Sequence, residues 1–470
     1  MYLPSMSEEM AGLNLGDKRR SDRALSVLTT LQAHPDASYP DAFGDGASLE
    51  AFYRLVGNEA VTPAAILSPH SRATVGRAAA STCTLMIHDS TDIVHGSGKA
   101  REDFYEVGGH FGYVAHVGLC VDWPSRVPLG VVHLECVERE ELRKNEEATK
   151  RKGSHREVWN DADKESLRWV RGVQAAGRLV GVNAIHVMDR EGDSYELLAR
   201  FSPHRFVVRG AYNRRVLDEE GKPTLLLEVG QRAELVFCRK PRLAARQNEG
   251  RREKKHPSRD ARAARLGVSA ARVQLRRPAA LPAQSADGTP LPKELEVNVV
   301  FVREVDPPEG EAPIEWALYT TEPIDTPEAI ATVVDIYRTR WMIEEFFKAL
   351  KTGCAFSSRQ LESLKTSQTS LALTLPIAWR LLLIRALDRN HPDAPASAVL
   401  SPLEIVVLAA LTKRGVGQLC SVSDVAAALA KLGGHLKSNG APGWQVLGRG
   451  WLKLTSATAV AIALREAKMD

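Results

Sequence analysis

Tyr337-Arg-Thr-Arg-Trp-Met-Ile-Glu-Glu-Phe-Phe-Lys-Ala-Leu-Lys351 is the stretch on which the rest of the chain depends. At about 100° per residue, Tyr337, Arg340, Glu344 and Lys351 fall within about 60° of one another on a helical wheel. Ile336, Ile343, Phe346, Phe347 and Leu350 gather on a separate arc. The spacing predicts one helix with a polar stripe and a core stripe. In the polar stripe a carboxylate stands between a guanidinium and an ammonium, with a phenol above, which suits an oxygen-ligated metal beside a phosphate. A solvated amphipathic helix laced by i,i+4 salt bridges has the same spacing, and the helix alone does not separate the two readings.

The order Y-x2-R-x3-E-x6-K resembles the signature of bacterial cut-and-paste, hairpin-forming transposases of the DDE insertion-sequence type. In that family the Glu is the third catalytic carboxylate, which implies two aspartates upstream, each at the end of a strand. Moving outward, Thr82-Cys-Thr-Leu-Met-Ile-His88 is a β-rich apolar run expected to stop at Asp89-Ser-Thr, and Tyr113–Asp122 and Leu129–Val137 supply two more strands. A helix over Leu167–Leu179 leads to Asn183-Ala-Ile-His-Val-Met-Asp189-Arg-Glu-Gly-Asp193. The order of strands and helices, with acids at two strand ends, is that of a ribonuclease-H-like α/β fold.

By resemblance Asp89, Asp189 and Glu344 are the catalytic residues and metal ligands. Taken singly, Asp89 could equally serve a turn or a cap. Glu191 and Asp193 compete with Asp189, and Glu345 competes with Glu344 from about 100° around the helix. The resemblance implies two Mg²⁺ ions, with Mn²⁺ as a substitute. It also assigns DNA contacts to Tyr337, Arg340, Lys351 and Arg209, and to Trp316 as an aromatic that stacks on a flipped base. Trp316 could alternatively be core on a strand, and Trp341 reads as packing.

After Phe206-Val-Val-Arg209 strand-like periodicity returns at Thr224–Glu228, Ala233–Cys238, Ala271–Leu275, Glu296–Arg303 and Glu315–Tyr319. The block separates Asp189 from Glu344 by more than a βα loop needs, so an inserted β domain at about residues 212–322 is expected. Within it, residues 239–277 hold 14 Lys and Arg against three acids, a net +11 in a chain of net +4, so the remainder sums to −7. A run of that density suggests a phosphate-backbone partner, or a solvated basic loop.

Towards the amino terminus, residues 1–75 read as a helical DNA-binding domain. Asp17 can cap a helix with Arg19, Arg20 and Arg23 on one side, Ser48–Val56 forms a second helix, and Thr62-Pro63 starts a third. Leu15-Gly-Asp-Lys-Arg19, Ala42-Phe-Gly-Asp45 and Ala51-Phe-Tyr-Arg54 resemble the family's end-recognition domain, implying DNA contacts by Arg19, Tyr53 and Arg54. A catalytic domain then spans 76–370, and a helical assembly domain 371–470, with helices at Ser367–Leu387, Pro402–Leu411, Val422–Leu432 and Leu454–Lys468. Pro442-Gly-Trp-Gln-Val-Leu-Gly-Arg-Gly-Trp451 resembles the family's carboxy-terminal end, whose helices mediate synapsis.

The 470 residues, 44% of them hydrophobic, suffice for about three globular domains. Six cysteines without C-x-x-C pairing indicate neither a zinc site nor a disulfide framework. No leader pattern or apolar run of about 18 residues is apparent, so the expectation is a bacterial cytoplasmic, nucleoid-associated protein without a membrane role. Its partners would be double-stranded DNA, as transposon ends and target, and a second copy in a synaptic homodimer. The alternatives are a catalytically inactive DNA-binding regulator and a carbohydrate hydrolase using paired acids; the intact carboxylate triplet opposes the first and the basic segments the second.

Overall fold

Asp17, Asp45 and Thr62 each accept a hydrogen bond from the backbone N–H three residues on, and each starts a helix. This computed structural model describes residues 3–94, 104–107, 110–137, 165–181, 183–247, 258–311, 313–436 and 441–466. Its contacts divide the chain into one unit of Met1–Lys150, Arg171–Ala184 and Trp341–Asp470 and another of Arg151–Val170 and Ile185–Arg340.

The first unit opens with α1 (Met6–Glu9), α2 (Lys18–Ala33), α3 (Tyr39–Phe43), α4 (Gly46–Val56) and α5 (Pro63–Ala78). Strands β1 (Cys83–Val94), β2 (Tyr105–Val107), β3 (His110–Trp123) and β4 (Pro128–Val137) follow, with β3 pairing antiparallel to the other three. Helix α6 (Arg168–Val180) belongs to this unit from Arg171 onward. The strand expected to stop at Asp89 instead runs on to Val94, in unbroken register with β3 from Cys83↔Trp123 to Val94↔Gly112. Thr91 and Ile93 are buried while Asp92 is exposed, so the alternation continues through residues whose polarity looked like a turn.

Glu9, on α1, is fully buried and ties the amino-terminal arm to the sheet. Its Oε1 receives His70 Nδ1 at 2.5 Å, and Arg77 donates to both carboxylate oxygens at 2.7 and 2.8 Å. His70 Nε2 accepts from the Val131 N–H at 2.9 Å, which fixes a neutral ring with its proton on Nδ1. Burial raises the Glu9 carboxyl, but its bonds to His70 and Arg77 outweigh that and hold it at about 2. Burial lowers His70 below its ordinary value despite Glu9, in agreement with the neutral ring.

The second unit contains β5 (Ala184–Met188, from Ile185), α7 (Tyr195–Phe201), β6 (Arg205–Arg209), β7 (Arg215–Leu217), β8 (Pro223–Leu225) and α8 (Leu226–Arg232). Further on come β9 (Phe237–Arg239), β10 (Arg242–Leu243), β11 (Arg262–Ala263), β12 (Arg265–Arg276), β13 (Glu294–Val305), β14 (Glu315–Thr320) and α9 (Pro327–Thr339). Its sheet runs β5-β6-β14-β13-β12-β7-β8 with β9 also on β12; β5 and β6 are parallel and the other pairs antiparallel. The expected strand at Thr224–Glu228 becomes a helix from Leu226, where Leu226 and Val229 bury one face at i,i+3. Of Ala233–Cys238 only the end is paired, as β9.

The chain re-enters the first unit with α10 (Trp341–Lys348), α11 (Leu364–Asn390), α12 (Pro402–Thr412), α13 (Val422–Leu432) and α14 (Trp444–Glu466). The single helix expected over Tyr337–Lys351 is therefore broken at Arg340, and Ala349–Gly353 forms a wider π turn closed by Cys354 N–H to Ala349 O at 2.8 Å. The uniform 100° step does not extend to Lys351. Contrary to the expectation of no long apolar run, α11 has 27 residues and is long and apolar enough to cross a membrane, but 94% of its apolar window is buried inside the unit. Helix α14 starts ten residues before its expected first residue, Leu454, through Gly448 and Gly450. A Cβ at Gly450 would stand 2.0 Å from Leu429 O, so close backbone approach to α13 requires glycine there at the expense of helix propensity.

Candidate active site

In the first unit Asp89 pairs with Val117 in the middle of β1, and its Oδ1 accepts from the Ser90 N–H at 2.8 Å. Successive side chains alternate faces, so Asp89 lies opposite His88 and Ser90. The His88 and Ser90 face is covered by α6: a Cβ at Gly172 would stand 3.0 Å from His88 Nδ1 and 3.1 Å from His116 Nε2. On the other face Tyr113, paired with Ile93, meets Ser367 of α11 through its hydroxyl at 3.2 Å. Helix α10 packs on both α11 and β1, which brings the Glu344 helix against the Asp89 strand. Glu345 is buried and ion-paired to Lys348 and Arg385, each at 3.4 Å. Glu344 is half-buried on another side of the helix. Burial lowers the pKa of Lys351 and the nearby Asp92 carboxylate opposes the shift.

In the second unit Asp189 stands at the end of β5, where its Oδ1 caps the 3-10 turn Arg190–Gly192 by accepting from Glu191 N–H at 2.8 Å. Its two rivals are committed elsewhere. Glu191 pairs with Arg168 at 2.5 Å, and buried Asp193 holds the Arg214 guanidinium.

Arg209 ends β6 and lies over the Trp316 ring at 5.4 Å, Trp316 meets Tyr337 edge-on at 5.5 Å, and Arg340 lies over Tyr337 at 5.9 Å. Burial lowers the pKa of Arg209; Tyr337 beside it favours the charge, and Arg190 and Arg340 oppose it. Arg209 Nε is buried with no hydrogen-bond partner. Like charges gathered around an unsatisfied donor favour an incoming anion. Trp316 is half-buried, and Tyr337 is buried. Trp341, read as packing, is 51% exposed, with Lys348 Nζ 5.2 Å from its ring centre.

Asp89 and Glu344 thus belong to one unit and Asp189 to the other. Within each unit, among the described residues, no three His, Cys, Asp or Glu side chains form a group able to hold an ion. As a donor set, three carboxylates with no thiol or imidazole fit a hard, oxygen-loving cation. A cavity of about 720 Å³ in the first unit, lined by Trp379, Leu383 and Leu387 among others, includes none of the candidate residues.

Arg19, Arg20, Arg23, Arg54 and Asn58 line a groove of about 460 Å³ between α2 and α4, joining two of the residues expected to contact DNA. Arg54 is paired to Glu50 one turn away, and Tyr53 is exposed on the same helix. The basic run is different. Arg239 pairs with Asp335, Arg262 with Glu304 and Glu311, Arg265 with Asp306, Arg272 with Asp325 and Arg276 with Glu294. Its counter-charges lie outside the run, which sequence counting does not see, while Arg251, Arg252, Lys254 and Lys255 lie outside the described residues. DNA binding is therefore expected to depend on the groove: Arg19→Gln and Arg23→Gln together should lower the magnitude of the log–log salt slope by about 0.9 for each phosphate that is no longer neutralised. Titrations from low to moderate salt that leave the slope unchanged would remove those residues from the interface.

Residues 5–61 match a family model described as transposase DNA-binding, and residues 115–378 match one described as transposase DDE domain. The second match spans 264 of 470 residues (378 − 115 + 1), more than half of the chain. The chain belongs to the DDE transposases, DNA-binding enzymes of ribonuclease-H-like fold that generally use divalent metals. Asp189, Arg209, Trp316, Tyr337, Arg340, Glu344 and Lys351 lie within the DDE match; Asp89 lies ahead of it, and Arg19, Tyr53 and Arg54 lie within the DNA-binding match.

Proposed function

We propose that this transposase moves its element by cut-and-paste: strand cleavage at the element end, attack of the freed 3′-hydroxyl on the opposite strand to give a hairpin, hairpin opening, and strand transfer into target DNA. The observation that carries the reading is the packing of the Glu344 helix on the Asp89 strand, with Glu345 committed to ion pairs. Asp89, Asp189 and Glu344 are the ligands for two Mg²⁺ ions, or Mn²⁺ in their place. When bound, the ions supply charge neutralisation at phosphorus and stabilise the attacking and leaving oxygens. Arg209 and Arg340 grip the terminal phosphate, which a guanidinium binds through two oxygens, with Tyr337 holding both side chains in place and Lys351 on the neighbouring backbone. Residues 1–75 bind the ends, 76–370 catalyse, with a β insertion at about 212–322, and 371–470 assemble two protomers. Val460, Ile462 and Leu464, exposed on α14, and Val406, exposed on α12, support the last assignment.

Incubating the protein and Mg²⁺ with a supercoiled plasmid carrying the native element should release an excised fragment. End binding without release would identify a regulator instead. Trp316 is the stacking platform for a flipped base in the hairpin step. Trp316→Ala should leave the first nick and slow the hairpin by about 5- to 150-fold, the value of one base stack. A time course on labelled end duplex, with thermal melts, checks this. Equal loss at every step with a lowered melting temperature would make Trp316 a packing residue.

A further inference from the structure

The parallel register of β5 and β6 pairs Met188 with Val208, so Asp189 and Arg209 follow at the same level on neighbouring strands. Both strands end there, and Asp193 takes part in both turns, through its backbone N–H on one side and its carboxylate on the other. Asp193 has a fully buried carboxylate whose Oδ2 accepts from Ala211 N–H at 2.6 Å and Tyr212 N–H at 3.3 Å. Its Oδ1 takes the Arg214 guanidinium, which also donates to the Asp193 carbonyl at 3.3 Å. On the Asp189 side, Gly192 N–H donates to Asp189 O and Asp193 N–H to Arg190 O, each at 3.2 Å. On the Arg209 side, Gly210 N–H donates to Ala317 O at 2.7 Å, joining the loop to the strand that carries Trp316.

We propose that Asp193 is a positioning residue that holds the phosphate-gripping Arg209 at a fixed offset from Asp189; this rests on the roles given to those two residues above. With its oxygens engaged by two amides and a guanidinium, Asp193 acts on the reaction only through where it sets the 210–214 loop. Displacements of about 1 Å in a clamp cost on the order of 100-fold in rate.

The test uses the full-length protein and end duplexes of the native element, with and without a 5′-phosphate. Arg209→Gln should abolish preferential binding of the phosphorylated duplex and slow hairpin formation by about 100-fold. Asp193→Asn, which keeps an oxygen for the amides and loses the charge opposite Arg214, should reduce the same preference and slow the hairpin by about tenfold. The double variant should be no slower than Arg209→Gln alone, because both changes disable one grip. A merely structural Asp193 predicts multiplied losses and an unchanged phosphate preference, and either result overturns the proposal. If Arg209→Gln itself leaves the preference intact, the phosphate reading fails rather than the latch alone. Should Asp193→Asn melt below assay temperature, Arg214→Gln, which keeps both amide bonds, goes through the same cycle and must again be non-additive with Arg209→Gln.

Discussion

Alanine at Asp89, Asp189 or Glu344 should lower strand cleavage by about 10³-fold or more while leaving affinity for the element ends nearly unchanged. Removing a ligand removes several kcal/mol of charge stabilisation at the reacting phosphorus. Affinity for DNA comes mainly from contacts to phosphates along the duplex, which the proposed function assigns to the groove arginines and the Arg209 cluster and not to the carboxylates. The committed neighbours provide controls: Glu191→Gln should retain cleavage and Glu345→Gln should alter stability first, because their carboxylates serve Arg168 and Arg385. Cleavage assays and gel-shift titrations on the same duplex would read both quantities, and full cleavage by any one alanine variant would exclude that residue from the triad.

The largest stability effect is expected at Glu9. Removing the charge in Glu9→Gln leaves the buried side of Arg77 without its counter-ion, which typically costs about 3–5 kcal/mol. The wild-type protein should also be acid-sensitive. Glu9 is depressed on folding to about 2, so its contribution, about 3 kcal/mol for a shift of that size, is complete above the ordinary carboxylate range and is lost as pH falls towards 2. His70 is likewise depressed, so proton uptake by the unfolded chain favours unfolding as pH drops below the ordinary histidine range. Urea midpoints from neutral pH down to pH 3 should fall for the wild type and more shallowly for Glu9→Gln. Parallel curves would mean that the network does not govern the acid transition.

Where local chemistry decided an element, the sequence was readable. Asp17 and Thr62 cap the helices they were expected to cap, and Val422–Leu432 is helical to the residue. Misreadings occur where a distant partner decides. Ser90-Thr91-Asp92 extends β1 because β3 offers matching backbone partners, and Gly448 and Gly450 sit in a helix because α14 must approach neighbouring backbone closely. At the candidate site the resemblance pointed to Glu344 and Asp189, while the residues alone left Glu345, Glu191 and Asp193 as rivals. Those rivals are ion-paired to Arg385, Arg168 and Arg214, cations at sequence distances that no motif encodes.

Helix α2 is covered by α14: Thr455 and Ser456 both donate to the carbonyl of Ala33, at 3.1 and 2.8 Å. Residues more than 400 positions apart in the sequence thus complete one packed surface, and no ribosome can deliver them together. The Arg19 helix can pack early on α3 and α4, but the part that α14 covers stays open until residues 455 and 456 have been made. Such long-range closure makes folding slow and the intermediate prone to aggregation. A chain stalled or clipped near residue 440 would keep the arginine groove but lose the lid over the other side of its helix. Completing the helix that carries the arginine groove thus depends on α14, a requirement that acts before any DNA is touched.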